Sequence, residues 1–160
     1  MSFQADQKDV LPYVEREGFF VAGTHYVGKN EHGEIGAMWD SQFFPRLAEI
    51  EHLNGWIFYG VSRMPPGLAE GEFEYLAAVE VEKDQDLPQG IYRWEIPANG
   101  YVIMPAKGIP DLMRVMDTFY HKWLAGQTEY ELAGDYNFEY YSEQFDTDQI
   151  IDVYFPVKKK

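Results

Sequence analysis

Apolar residues recur along this chain with two periods, and the alternation of those periods divides it into strands and helices. Residues 18–28, GFFVAGTHYVG, are aromatic and β-branched between bounding glycines, which predicts a strand. Residues 29–33, KNEHG, are turn chemistry. Over residues 35–53, Trp39, Phe43, Leu47 and Ile50 recur in steps of four, four and three, so they share one helical face. Pro45 falls inside that pattern and predicts a kink or a split. Residues 56–63 and 73–82 predict two further strands, joined by a loop holding two prolines and two glycines.

The same succession then runs again. Residues 91–96, IYRWEI, alternate as a half-buried strand, and residues 97–100 break it. Residues 101–104 predict another strand, closed by Pro105 and Gly108. Residues 110–124 predict the second helix, with Leu112, Met116, Phe119 and Trp123 on one face and Pro110 in its first turn. Residues 135–145 and 150–157 predict the last two strands, with the polar residues 146–149 as a loop between them. Residues 1–17 are polar and mixed and read as an arm.

Strand, helix, strand, strand therefore occurs twice, over about 18–86 and 90–158, with LPQG at 87–90 as the link. In each copy an aromatic strand ends at a glycine (Gly28, Gly108), and the helix that follows carries a tryptophan (Trp39, Trp123). Phe-Glu-Tyr appears at 73–75 and again at 138–140, at places that look comparable in the two copies. The fold expected is α+β: a mixed or antiparallel sheet with two main helices on one face, one domain over 1–160, and a cavity at the seam between the halves.

Composition narrows the function classes. Net charge is −14, the opposite of the basic footprint that phosphate binding needs. Direct nucleic-acid binding and attraction to an anionic membrane are excluded on that ground, and cations are favoured. Aromatics reach 17%, with 12 Tyr, 11 Phe and 4 Trp, which suits a β-rich core and a ligand cavity alike. With no cysteine there is no disulfide, thiolate metal site or cysteine nucleophile. His25, His32, His52 and His121 lie in no metal-ligand spacing, and no glycine pattern fits a phosphate loop, so neither metal nor cofactor is expected. No apolar run approaches the roughly 20 residues of a membrane span, and the first residues lack a signal-peptide pattern. A cytoplasmic location is the default expectation.

The ordered pieces VAGTHYVG, MWDSQFF, FYGVSR, GEFEYLAAVEV, IPANGYVIMPAKG, FEYYSEQFD and DVYFPVK carry a resemblance. From about residue 18 to 158 the chain resembles the GyrI-like small-molecule-binding domain, which also forms the effector-binding part of AraC-type and MerR-type multidrug-sensing regulators. The resemblance implies a tandem β-α-β-β fold with a pseudo-twofold axis and a central cleft lined by aromatics. It also implies a buried glutamate that meets the positive charge of drug-like ligands. The FE-x-Y motif places that glutamate at Glu139, with Tyr141 beside it. Trp39 and Tyr75 match the aromatic positions of the first half. The chain departs from the pattern at Ala78, where relatives often carry glycine, so a methyl would narrow the cleft floor. No helix-turn-helix region is attached, which reads as a stand-alone effector domain.

Candidate ligand-binding residues are thus Glu139, Tyr141, Trp39, Phe43, Tyr75, Tyr101, Tyr120 and Trp123, with Phe119 as a further candidate wall. Aromatic faces attract cations by about 0.5–2 kcal/mol each. Ordinary core packing is the competing reading for Phe119 and Trp123. Strand parity leaves one conflict open. If the two Phe-Glu-Tyr segments aligned residue for residue, Glu139 would match Glu74 and face water, whereas the cleft reading needs it inside. Three functions follow. The first is binding of an aromatic, cationic small molecule. The second is a hydrolase of cyclopropane-containing genotoxic compounds, with Glu139 and Tyr141 as the catalytic pair. The third is a protein-interaction module like inhibitors of DNA gyrase, with a protein partner or a homodimer.

Overall fold

The computed structural model describes residues 11–160. Its strands are β1 (Tyr13–Arg16), β2 (Phe19–Gly28), β3 (Phe58–Arg63), β4 (Phe73–Val81), β5 (Tyr92–Ile96), β6 (Asn99–Lys107), β7 (Tyr130–Leu132), β8 (Tyr136–Tyr141) and β9 (Ile150–Lys159). Helix α1 spans 34–49, α2 spans 109–123, and a short α3 covers Phe145–Asp148. The strand order is β1-β6-β9-β8-β3-β4-β2-β5, with β7 laid against the far end of β9. Every pairing recorded is antiparallel, which decides between the mixed and antiparallel expectations.

This order reads the same from both ends. β6-β9-β8 mirrors β2-β4-β3, and the pseudo-twofold axis passes between β3 and β8. The strands before each copy are exchanged: β1 borders β6 of the second copy, and β5 borders β2 of the first. The stretch read as an arm therefore contains an edge strand. Residues 1–10 of that expected arm lie outside the described residues.

Alternation along the strands sorts side chains onto two faces. Ala22, Tyr75, Ala77 and Val79 meet Met38 and Phe43 under α1. Val102, Met104, Ile151, Val153 and Phe155 meet Val115, Phe119 and Trp123 under α2. On the opposite face the sheet curls into a half-barrel around Phe19, Tyr59, Leu76, Trp94, Tyr101 and Phe138. The Arg16 guanidinium of β1 lies over Phe19, 4.5 Å from the ring centroid, and closes that side.

Neither main helix is regular. α1 runs α-helically over Glu34–Met38, widens to a π-helix over Trp39–Phe43, resumes over Phe44–Arg46 and tightens at Leu47–Glu49. The Phe44 N–H donates to the Trp39 carbonyl, five residues back. α2 does the same over Phe119–Trp123, where the Leu124 N–H donates to the Phe119 carbonyl at 2.8 Å. Pro45 was expected to kink or split α1, and the regular helix is indeed interrupted just before it; α2 carries the same π turn at the corresponding place with no proline near it, so the turn does not require one. π turns are frequent at functional sites.

Three further expectations need correction. The strand expected over 101–104 and closed by Pro105 is β6, which starts at Asn99 and runs through Pro105 to Lys107. Residues 146–149 are not simply a loop, because most of them belong to α3. The two Phe-Glu-Tyr segments are also not equivalent. β4 corresponds by position in the sheet to β9, and β8 to β3. The repeat is real at the level of elements, but the triplet that drew attention to it is not part of it.

Candidate functional site

Glu139 sits in the middle of β8, directly across from Gly60 on β3 and thus beside the pseudo-twofold axis. Its side chain points to the helix face, where it is 6% exposed. The parity conflict resolves because the two triplets are out of phase. In β4, Phe73 and Tyr75 face the helices, whereas in β8 Glu139 and Tyr141 do. Glu74 is on the opposite face, paired with Arg63 and 3.1 Å from the His25 ring nitrogen.

A hydrogen-bond relay surrounds Glu139. The Tyr141 hydroxyl donates to its Oε1 at 2.8 Å. The Tyr75 hydroxyl donates to the same oxygen at 3.0 Å. The Trp39 indole N–H donates in turn to the Tyr75 oxygen at 3.1 Å. Burial pushes the Glu139 carboxyl up to about 7, against the pull of the two phenol donors. Burial and the nearby carboxylate also hold Tyr75 and Tyr141 well above their ordinary range, so both remain protonated donors.

Gly60 makes the relay sterically feasible. A Cβ there would collide with the Tyr75 hydroxyl and the Glu139 Oε1. Sequence reasoning passed over this residue, although a lone glycine inside the strand pattern FYGVSR signals close approach of another group.

In front of the relay opens a cavity of about 660 Å³ at the seam between the halves. Trp39 and Tyr141 form its inner wall, with ring centroids 5.7 Å apart. Phe44, Phe58, Trp56 and Ile109 extend the apolar lining, and Phe145 of α3 packs edge-on to Tyr141 at 5.1 Å. Asp40, Glu143 and Asp146 add carboxylates to the lining. The volume and the mix of aromatic wall with few polar groups are those of a small-molecule site.

The expected site residues divide into three groups. Trp39 and Tyr141 line the cavity. Glu139 and Tyr75 stand behind them, and Phe43 is fully buried against Trp39 at 5.0 Å. Tyr101, Tyr120 and Trp123 are not brought to the cavity, which corrects that part of the expectation. Tyr101 alternates with Val102 and so points to the opposite face, where its hydroxyl lies 2.7 Å from that of Tyr136. Tyr120 accepts a hydrogen bond from Asn137 at 3.1 Å, and Trp123 is buried beside Phe119 under α2. The packing reading holds for both Phe119 and Trp123. Ala78 also faces away from the cleft, within the half-barrel core, so its methyl does not narrow the floor. The lining aromatics Phe44, Trp56 and Phe58 were not singled out from sequence, because each sits off the regular period or at a strand edge.

Among the described residues no cluster of histidine and acidic side chains is placed to hold a metal ion. No helix there is long and apolar enough to cross a membrane.

A half-barrel of duplicated halves, with a buried glutamate behind an aromatic cleft at their seam, defines an effector-binding domain of the GyrI-like class. Within it, the chain belongs to the integron-associated effector-binding proteins, whose family sequence profile matches residues 13–157. The transcriptional regulator BrlR of Pseudomonas aeruginosa is 33% identical over 150 residues, covering 90% of this chain and 54% of the regulator. The chain thus spans about half the length of that relative. Among solved structures, SAV2435 bound to tetraphenylphosphonium superposes with a TM-score of 0.73 at 14% identity, covering 93% of this chain and 94% of that one. EcmrR in its DNA complex matches at 0.70 and 16%, covering 99% of this chain and 63% of EcmrR. An integron cassette protein from the Vibrio cholerae mobile metagenome matches at 0.60 and 17%, covering 92% and 95%. These low-identity likenesses establish the fold.

Proposed function

We propose that this protein binds an aromatic cation in the cleft, with Glu139 as the buried counter-charge. The observation that carries this reading is the arrangement of a carboxyl poised near neutrality behind two aromatic rings that wall a cavity. A cation against those rings gains from their faces and draws Glu139 into its ionised form. The rim carboxylates Asp40, Glu143 and Asp146 and the net charge of −14 favour the same sign of ligand. SAV2435, with the same fold, was solved with tetraphenylphosphonium, an aromatic cation.

Binding without turnover is favoured over hydrolysis. A catalytic carboxylate must reach the reacting atom or a water on it. Glu139 instead lies behind Tyr141 and Trp39 and is not part of the cavity lining. The test is calorimetric titration with tetraphenylphosphonium and with neutral triphenylphosphine oxide, on the wild type and on Glu139→Gln. The cation should bind and the neutral analogue should bind at least tenfold more weakly. Glu139→Gln should remove most of that preference. Equal binding of both compounds by both proteins would refute the reading.

A further inference from the structure

The sheet carries another hollow on the face turned away from the cleft, with a volume of about 280 Å³. Val61 of β3, Trp94 and Ile96 of β5 and Tyr136 of β8 bring the half-barrel core to its wall, and Met64 and Pro97 extend the apolar lining. Ligand pockets run from roughly 300 to 1,000 Å³, so this one suits a single ring rather than a drug-sized molecule.

One charged side chain is set into this hollow. The Arg63 guanidinium carbon lies 3.7 Å from the Trp94 ring centroid, and its Nε donates to the Glu74 carboxylate. Those contacts fix the plane of the guanidinium and leave its Nη atoms without a hydrogen-bond partner among the described residues. The side chain is 42% exposed, so a bound molecule can reach it. Glu74 is itself divided, with its other oxygen 3.1 Å from the His25 ring nitrogen. The two acidic residues at the rim are aimed elsewhere. Glu95 lies between the inward-turned Trp94 and Ile96, so strand alternation sends its side chain outward. Asp135 precedes the inward-turned Tyr136, and its charge acts on the helix side: burial first and then Asp135 hold the Tyr120 phenol above its ordinary range. A pre-oriented guanidinium with spare donors and apolar walls around it is chemistry for a carboxylate on an apolar body.

We propose that this hollow is a second ligand site, which takes a small aromatic carboxylate. The ring rests against Val61, Ile96 and Pro97, and the carboxylate accepts from the Nη atoms of Arg63. The net charge of −14 opposes an anion at long range. Salt at 0.1 M screens that field beyond about 10 Å, so the guanidinium in contact decides. The cleft and this hollow lie on opposite sides of β3, where Gly60 faces the one and Val61 and Arg63 the other. The second site therefore does not rest on the reading of the cleft.

The probes are benzoate, benzamide and benzamidine, which share one shape and differ in charge. In an NMR titration of the full chain, benzoate should shift the Trp94 indole N–H and the Tyr136 amide. Benzamide should bind there at least fivefold more weakly, and benzamidine more weakly still. Arg63→Gln should bring benzoate down to the affinity of benzamide, and Arg63→Lys, which keeps the charge without the fork, should retain part of the preference. Benzoate that shifts neither residue at millimolar concentration, binds no tighter than benzamide, or shifts Trp39 and Tyr141 instead would overturn the proposal, and each of these outcomes is read on the wild type alone. A benzoate preference that survives Arg63→Gln undiminished would overturn it as well.

Discussion

Burial turns Glu139 into a carboxyl that is about half protonated near neutrality, and this has a thermodynamic consequence. Its folded value of about 7 lies above the ordinary carboxyl value of 4.5. Its contribution to stability is therefore fully present below pH 4.5 and is lost as pH rises through 7. Above that, the ionised group destabilises the fold by about 3 kcal/mol relative to a neutral one. Glu139→Gln keeps an acceptor for both phenols and removes the charge. It should raise the melting temperature at pH 8 and leave it almost unchanged at pH 4.5. A variant less stable than wild type at pH 8 would show that the charge is not strained. Gly60→Ala makes the complementary case. Its methyl meets the Tyr75 hydroxyl and the Glu139 carboxyl, so urea titration should show a loss of about 1–3 kcal/mol, together with weakened tetraphenylphosphonium binding. Which residues could be read from sequence depended on how local their signal was. Glu139 and Tyr141 came through a motif on one strand. Gly60, a lone glycine in a strand, signals that some group comes close, but its neighbours in the chain do not say that the group is Glu139 of β8.

At the scale of elements, periodicity was a good guide to what forms and a poor guide to which way it faces. The steps linking Trp39 and Phe43 do place both on one side of α1, yet only Trp39 reaches the cavity. The π turn between them alters the helical phase, and no propensity scale marks it. Phase also misled in the strands. Phe-Glu-Tyr sets no face by itself; pairing of β8 with β3 does, and the partner of Glu139 in that register is the sequence-distant Gly60. Tyr101 was lost from the site by one step of alternation. β1 was hidden because YVER is short and half polar, and its partner strand is in the other copy. Arg16 ties that edge strand to the half-barrel core, over Phe19 and within 5.6 Å of the Phe138 ring centroid. Arg16→Ala should cost about 0.5–2 kcal/mol in denaturant unfolding and speed hydrogen exchange along β1 and the β6 edge. Unchanged exchange at β1 would mean that pairing with β6 alone holds the strand.

For the whole molecule, the duplication explains why the site lies where it does. Gly60 and Glu139 face each other across the axis, Tyr75 comes from the first copy, and Tyr141 from the second. Neither half could assemble the relay alone. The halves have diverged around that axis, since only one copy supplies a carboxylate to it. The field of −14 charges adds an attraction that salt screens within about 10 Å at 0.1 M. Tetraphenylphosphonium affinity should therefore fall moderately between 0.05 and 0.5 M salt, with a residual part that reflects the buried Glu139. The decisive measurement is the pH dependence of that affinity between pH 5.5 and 8.5, by calorimetry on the wild type and on Glu139→Gln. A cation held by Glu139 favours its ionised form, so wild-type affinity should climb about tenfold per pH unit below 7, level off above it, and be nearly flat in the variant. A wild-type profile as flat as that of Glu139→Gln, with equal affinity, would contradict the role assigned to this glutamate.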